Sequence, residues 1–199
     1  NPLLILNGLP KFSAIRAEHV EPAIRHILGQ QRGILKKLEQ SNTHSFEWVL
    51  DLERLQEAVQ RVWGPVSHLN AVLSTPEFRD TYNDCLPLIT DFTSELSQNE
   101  ILYSRFLRLS ENLSPTSDQT KIQLVAHALR DFRLGGVGLS KEAKQRFRAI
   151  TQRLAQRQAE FEQNIMDATD AFRYHTQDQQ TLAGIPEVVL YRAKTAASE

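Results

Sequence analysis

One stretch constrains the fold more than any other, because residues 140–174 contain neither proline nor glycine and carry apolar side chains at helical spacing. Steps of three and four residues keep side chains on one face of an α-helix. The sequence therefore predicts a single helix about 50 Å long, at 1.5 Å per residue, with Ser140 as its N-cap. We expect the other helices to pack along its apolar stripe, which consists of Ala143, Phe147, Ile150, Leu154, Phe161, Ile165, Ala168 and Phe172.

The rest of the chain divides into shorter helical patterns. Residues 1–16 read as an extended arm anchored by Leu9, Phe12 and Ile15. Predicted helices follow from about 17–22 to 41, at 46–73, from 75 to about 96, at 100–109 and at 118–134, and a last one starts at 187. We expect a kink or break at Gly64-Pro65, a polar turn at 114–117, and an extended piece within 175–183.

Composition agrees with an all-α fold class, a multi-helix bundle organised on the long helix at about 140–174. Glycine and proline number only eight each, whereas good helix formers are plentiful. Hydrophobic residues make up 41% and charged residues 24%, as in an ordinary globular protein. A chain of 199 residues can bury a real core, so residues 1–199 are predicted to form a single helical domain.

Charge and cysteine usage exclude several classes of partner. A formal net charge of −1 gives no field that would attract nucleic acid or an acidic membrane. No apolar run is long enough to cross a bilayer. The single cysteine, Cys85, rules out an intrachain disulfide framework and suits a reducing compartment such as the cytoplasm.

The two ends of the sequence predict that it is a piece of a longer protein. It opens on Asn1, and its one methionine is Met166. It closes on Glu199 directly after a helical pattern, without a stop signal.

No histidine motif predicts a catalytic metal. None of the six histidines (His19, His26, His44, His68, His127 and His175) belongs to an H-E-x-x-H pair. His127 and Asp131 are four residues apart, which favours a helix-stabilising pair. His68 follows the Gly64-Pro65 step and is interpreted as a packed or capping residue rather than a ligand. The sequence thus predicts no catalytic, cofactor-binding or metal-binding residue.

Two further features have a structural and a functional interpretation. Cys85 lies between Tyr82 and Ile89 on the apolar face of its helix, which favours a small core residue over a nucleophile. Residues 135–138, with three glycines, precede a helix as an anion site would. They follow a helix rather than a strand, which favours a simple turn.

The charges of the long helix run against its dipole, since basic residues fill its first half and acidic residues its second. Arg146, Arg153 and Arg157 form a stripe beside the apolar face, and Lys141, Lys144 and Arg148 lie behind it. A basic wall for an acidic partner or a peptide carboxylate is one interpretation. Ion pairing with neighbouring helices or plain solvation is favoured.

Four groups of segments resemble the N-terminal part of the thimet-oligopeptidase-like zinc metallopeptidases, in particular the bacterial oligopeptidases. They are LPKFSAIRAEHVEPAI at 9–24; PVSHLNAV at 65–72 with PEFR at 76–79 and LP at 86–87; LRDFRLGGVGL at 129–139 with RFRAI at 146–150; and NIMDAT at 164–169 with LAGIP at 182–186. They span nearly the whole chain in order. Ala17 and Ser140 stand where that family often has proline, and both are compatible with a helix start.

The resemblance implies a domain rather than an enzyme. In that family the zinc ligands, H-E-x-x-H and a later glutamate, lie in the C-terminal half of a much longer chain, and this sequence lacks them. The implied role is one wall of a deep channel that admits short peptides to the chain's own C-terminal catalytic domain, where zinc is expected. The competing hypotheses are a stand-alone helical interaction or regulatory module and, less favoured, an enzyme complete in 199 residues.

Overall fold

The computed structural model describes residues 1–41, 45–114 and 118–198. It contains seven α-helices in these ranges: α1 (Ala17–Gln40), α2 (Phe46–Val72), α3 (Pro76–Ser97), α4 (Glu100–Glu111), α5 (Gln119–Leu134), α6 (Lys141–Ala171) and α7 (Glu187–Ala196). Short 3-10 helices at Pro2–Leu4 and Phe12–Ala14 precede α1. The all-α fold class is confirmed, and the described residues contain no strand.

The helix starts follow the capping residues that the sequence displays. The Thr75 hydroxyl accepts from the backbone N–H of Phe78, and Asn99 accepts from the first turn of α4. Asp118 caps α5 in the same way. At the start of α6 the backbone N–H of Ala143 donates to Ser140 Oγ at 3.3 Å, so the predicted N-cap is confirmed.

The core of the first compact unit, Asn1–Glu160, is built on α1. Helices α2 and α3 both pack against α1, and α4 packs against α5. Val20, Ala23 and Ile24 of α1 and Val62 and Val66 of α2 have no exposed surface at all. Burial of this kind is the main favourable term in folding. The first unit is thus organised on α1, a helix that the sequence does not single out.

The expected central role of the long helix is wrong. Helix α6 exists over Lys141–Ala171, but Ala159 is its one buried residue. Within the first unit, Ile150 and Leu154 are 58% and 55% exposed. The side of α6 that packs carries small and polar residues instead, among them Ala155, which packs on the core, and Arg148, which hydrogen-bonds Gln98.

The second compact unit, Phe161–Glu199, begins within α6 and contains α7. Between these helices residues 172–186 form turns and irregular chain, with Gly184 at a φ of +84°. The extended piece expected within 175–183 is therefore not a strand. None of the described residues of this unit is buried.

Two smaller predictions are corrected. Helix α2 continues through Gly64-Pro65 without a break, and both Pro65 and Val66 are buried. A proline inside a helix removes a single hydrogen bond, and here burial of its neighbours offsets that loss. In the arm, Ile15 is buried as expected, but Leu9 is 91% exposed and Leu3 is the second buried anchor. Residues 115–117 of the predicted polar turn lie outside the described residues.

Two substitutions test whether α1 or α6 is the central helix of the core. One replaces a buried residue of α1, and the other replaces an exposed apolar residue of α6. Ile24→Asp places a charge where no surface is exposed, and we expect it to destabilise the chain by more than about 4 kcal/mol. Leu154→Asp is the control and should change the free energy of unfolding by about 0.5 kcal/mol or less. Urea denaturation followed by circular dichroism measures both. If Leu154→Asp unfolded the chain, the apolar face of α6 would be part of the core and α1 would not be its central helix.

The turn after α5 provides a matched pair of glycine variants. A Cβ added at Gly135 would lie 2.5 Å from Ser97 Cβ, whereas one at Gly138 would meet no heavy atom within 4 Å. We expect Gly135→Ala to cost about 1–3 kcal/mol through overpacking and Gly138→Ala to be nearly neutral. Equal melting temperatures for the two variants would contradict the close approach of this turn to the end of α3.

Candidate functional site

A groove on the first unit is a candidate binding site. It lies between α2, α3, α4 and α5 and has a volume of about 550 Å³. Its floor is apolar and aromatic, since Trp63, Phe92, Phe106 and Phe132 line it and are nearly buried. The sequence analysis does not identify this groove, because its walls come from four helices far apart in the chain.

Aromatic packing holds the floor of this groove in place. Trp63 stacks on Tyr82 with ring centroids 4.8 Å apart and planes inclined by 15°. Phe106 contacts Phe132 at 5.6 Å and Trp48 at 5.5 Å. Contacts of this geometry add to the stabilisation from buried area, so the aromatic side chains of the floor pack on one another without a ligand.

The rim of the groove carries carboxylates, but their charges are partly compensated. Glu57 pairs with Arg61 at 2.9 Å, and Asp131 pairs with Arg130 at 2.8 Å. The lining residues include no histidine, cysteine or lysine. The groove can seat an apolar side chain, but its lining offers no nucleophile paired with a base.

None of the described histidines lines this groove. His19 Nδ1 accepts from the backbone N–H of Arg16 and so closes the start of α1. His68 is exposed and packs against the ring of Phe12 at 5.3 Å, which agrees with the interpretation as a packed residue. His44 lies outside the described residues.

The predicted pair of His127 and Asp131 does not form, because the carboxylate of Asp131 accepts from Arg130 instead. Within the described ranges, no group of three or more His, Cys, Asp or Glu side chains could hold a metal ion.

Cys85 is fully buried, and burial raises the pKa of its thiol from 9.0 to about 11, with the carboxylates of Glu21 and Asp84 adding to the shift. At neutral pH it is therefore a protonated core residue, as the sequence predicts, and not a thiolate nucleophile.

The glycine-rich stretch at 135–138 is a turn, as the sequence favours. Gly136 has a φ of +86°, which residues with a side chain rarely adopt. The N–H groups of Gly135, Gly136, Val137 and Leu139 all donate to carbonyls of the same turn or of α5. Those amides are consequently not available to an anion.

Three of the basic residues in the first half of α6 are paired. Lys144 forms an ion pair with Glu100, which lowers the pKa of that carboxyl group. Arg148 donates to Gln98 Oε1 at 2.9 Å, and Arg157 pairs with Glu160 within the helix at 2.5 Å. The preferred interpretation, ion pairing with neighbouring helices, is confirmed for Lys144 and for Arg148, whose guanidinium also lies 4.0 Å from a carboxylate oxygen of Asp91 on α3, whereas the partner of Arg157 lies on α6 itself.

Comparison with known proteins decides the family. The family model for the Neurolysin/Thimet oligopeptidase N-terminal domain matches residues 24–144. This chain belongs to the neurolysin/thimet oligopeptidase family. The match covers α1 to the start of α6, so the groove and the core on α1 are features of the family's N-terminal domain in this chain.

The curated relatives are much longer than this chain. Oligopeptidase A of Haemophilus influenzae is 35% identical over 200 residues, which cover 99% of this chain and 29% of that protein. Oligopeptidase A of Escherichia coli K12 is 36% identical with the same coverage. A probable cytosolic oligopeptidase A of Arabidopsis thaliana is 30% identical over 96% of this chain and 27% of that protein. The chain thus spans less than a third of these relatives and corresponds to the N-terminal domain of an oligopeptidase A-like peptidase.

The raised pKa of Cys85 gives a prediction with a definite sign. The folded state keeps its proton to about pH 11, whereas the unfolded thiol loses it near pH 9. Between these values the folded state binds more protons, so this group makes stability fall as pH rises. The melting temperature of Cys85→Ala should therefore decline less steeply between pH 9 and 11 than that of the unaltered chain.

Alkylation provides the second measurement on the same thiol. Iodoacetamide at pH 8 should modify Cys85 slowly in the native chain and rapidly in urea. Fast modification without denaturant would show that the thiol is accessible and would contradict its burial.

Proposed function

We propose that this chain is the N-terminal channel wall of a zinc-dependent oligopeptidase that hydrolyses short peptides. The observation that carries the proposal is the match of this chain to proteins named oligopeptidase A. The match covers 99% of this chain and 29% of the length of each of those proteins. The catalytic zinc is assigned to the remainder of the peptidase. The proposed partners are peptide substrates and the peptidase's own C-terminal catalytic domain.

The described residues of this chain do not fit a zinc site, because no cluster of histidine, cysteine or carboxylate side chains among them is placed to bind the ion. The proposal therefore places the zinc ligands and the catalytic residues in the remainder of the peptidase. The role of this chain is to exclude folded proteins by steric hindrance and to leave access to short, unfolded peptides.

The close packing of the first unit supports such a role. A wall that selects by size must hold its shape against a substrate that pushes on it. One face of helix α1 is buried against α2 and α3. The buried Arg105 stacks on Trp48 at 5.2 Å and donates to the carbonyls of Glu39 and Ser41 at the end of α1. These contacts fasten α4 to the core.

The proposed compartment is the cytoplasm. Cys85 as a protonated, buried thiol agrees with a reducing environment but does not require one. No helix among the described residues is long and apolar enough to span a membrane.

A chimera tests the proposal directly. Residues 1–199 would replace the matched segment of the E. coli oligopeptidase A, and hydrolysis of a short fluorogenic peptide would be measured with zinc present. We expect the chimera to exceed the catalytic part alone by about tenfold or more, because positioning of the substrate contributes at least that much. Residues 1–199 alone should hydrolyse no peptide.

Each competing hypothesis predicts a different outcome. A folded but inactive chimera would favour a stand-alone interaction module. Peptide hydrolysis by residues 1–199 alone would favour an enzyme complete in this chain. Cleavage of a folded protein by the chimera at the rate of a short peptide would contradict the role in size selection.

A further inference from the structure

The second compact unit lacks a core of its own. Among its described residues, 161–198, none is buried. A segment of this size rarely folds alone without a disulfide, a metal or a partner, because it cannot bury enough surface to offset its conformational entropy. Neither its sequence nor its described structure supplies the first two of these.

The same unit is rich in large apolar side chains that are exposed to solvent. Those exposed by half or more are Phe161, Ile165, Phe172, Tyr174, Val188 and Tyr191. Val189 is exposed by 49%. Isolated apolar residues on a surface are normal, but such a concentration marks an interaction surface.

The exposed side chains of α6 in this unit have a regular arrangement. Phe161 and Ile165 are four residues apart and lie on one face of the helix, and Phe172 follows seven residues later, just after the helix ends. Glu162, Asp167 and Asp170 share that stretch, and no lysine or arginine lies between 161 and 171. Acidic residues therefore surround the apolar surface. A complementary partner surface would be apolar at its centre and basic at its edge.

The lengths of the relatives indicate what covers this surface. This chain accounts for 29% of the two bacterial oligopeptidases A, so most of each of those proteins lies outside the matched segment. We propose that residues 161–198 are the docking unit onto which the catalytic part of the peptidase folds, with Phe161 and Ile165 as its apolar anchors. This inference rests on the proposed function and names the partner surface within it.

The docking unit has a consequence for folding. Residues 1–160 carry their own core and should fold without the catalytic part. Residues 161–198 should gain stable structure only when that part covers them. Ordering on binding of this kind lets one segment couple the stability of two domains.

The test compares two variants with one control in two settings. Phe161→Glu and Ile165→Glu each place a charge in the proposed interface, and Gln177→Ser, the control, changes an exposed uncharged residue outside α6. In the chain of residues 1–199, all three should keep the melting temperature of the unaltered chain, because these positions are exposed. In the chimera with the E. coli catalytic part, only the two glutamate variants should lower the melting temperature and increase cleavage by trypsin near residues 161–198.

Binding in trans gives a quantitative readout. Residues 1–199 would be titrated into the isolated catalytic part of the E. coli protein by calorimetry. The glutamate variants should bind about tenfold or more weakly than the unaltered chain, as expected for an apolar anchor that has been replaced by a charge. The Gln177→Ser control should bind as the unaltered chain does.

Three outcomes would overturn the docking unit. A lower melting temperature of residues 1–199 in the glutamate variants would mean that the surface is used within this chain. Concentration-dependent dimers in sedimentation, abolished by Phe161→Glu, would mean that a second copy covers it. If the chimera is active and the glutamate variants leave melting, proteolysis and affinity unchanged, this inference is rejected and the proposed function stands. An inactive chimera of the unaltered sequence would instead reject the proposed function.

Discussion

Burial of α1 between α2 and α3 is the constraint on which the first unit depends. Val20, Ala23 and Ile24 lose all their exposed surface, so α1 has no solvent face at the points where it meets its neighbours. Gln31 on the same helix is also buried, and a polar atom of its side chain lacks a hydrogen-bond partner among the described residues. An unpartnered buried oxygen costs free energy, so the apolar burial around Gln31 has to offset that cost.

The outer helices are tied to this centre at their ends rather than along their lengths. Asn99, the cap of α4, donates to the carboxylate of Glu39 at the end of α1. Gly135, at the end of α5, lies so close to Ser97 that no side chain fits between them. These contacts therefore join the end of α1 to the start of α4 and the end of α5 to the end of α3. The 550 Å³ groove is lined by α2, α3, α4 and α5.

Local features of the fold could be predicted from the sequence, and its three-dimensional centre could not. Caps such as Thr75 and Ser140 act within one helical turn, so they can be predicted from the sequence alone. Leu154 shows the limit of periodicity, because a stripe of apolar residues reveals a face that requires a partner but not where the partner is. The groove was missed for the same reason: Phe92 and Phe106 both look like core residues, and only the arrangement of four helices leaves space beside them. The correct assignment of Cys85 to the core needed nothing more than its position on an apolar helix face.

The exposed apolar residues of α6 connect the packing of the first unit with the proposed docking of a catalytic part. Packing on the first unit uses a face of small and polar residues, with Ala159 buried and Lys144 and Arg148 held by partners on α4 and at the end of α3. An amphipathic helix that used its apolar side to stabilise this chain would have that side buried, and Ile150 and Leu154 are more than half exposed. This chain covers 29% of the oligopeptidases A of Haemophilus influenzae and Escherichia coli, and the proposed docking of a catalytic part would give the open apolar side a partner. A helix whose polar side is already paired and whose apolar side is open can join a catalytic part without giving up any contact that holds the first unit together.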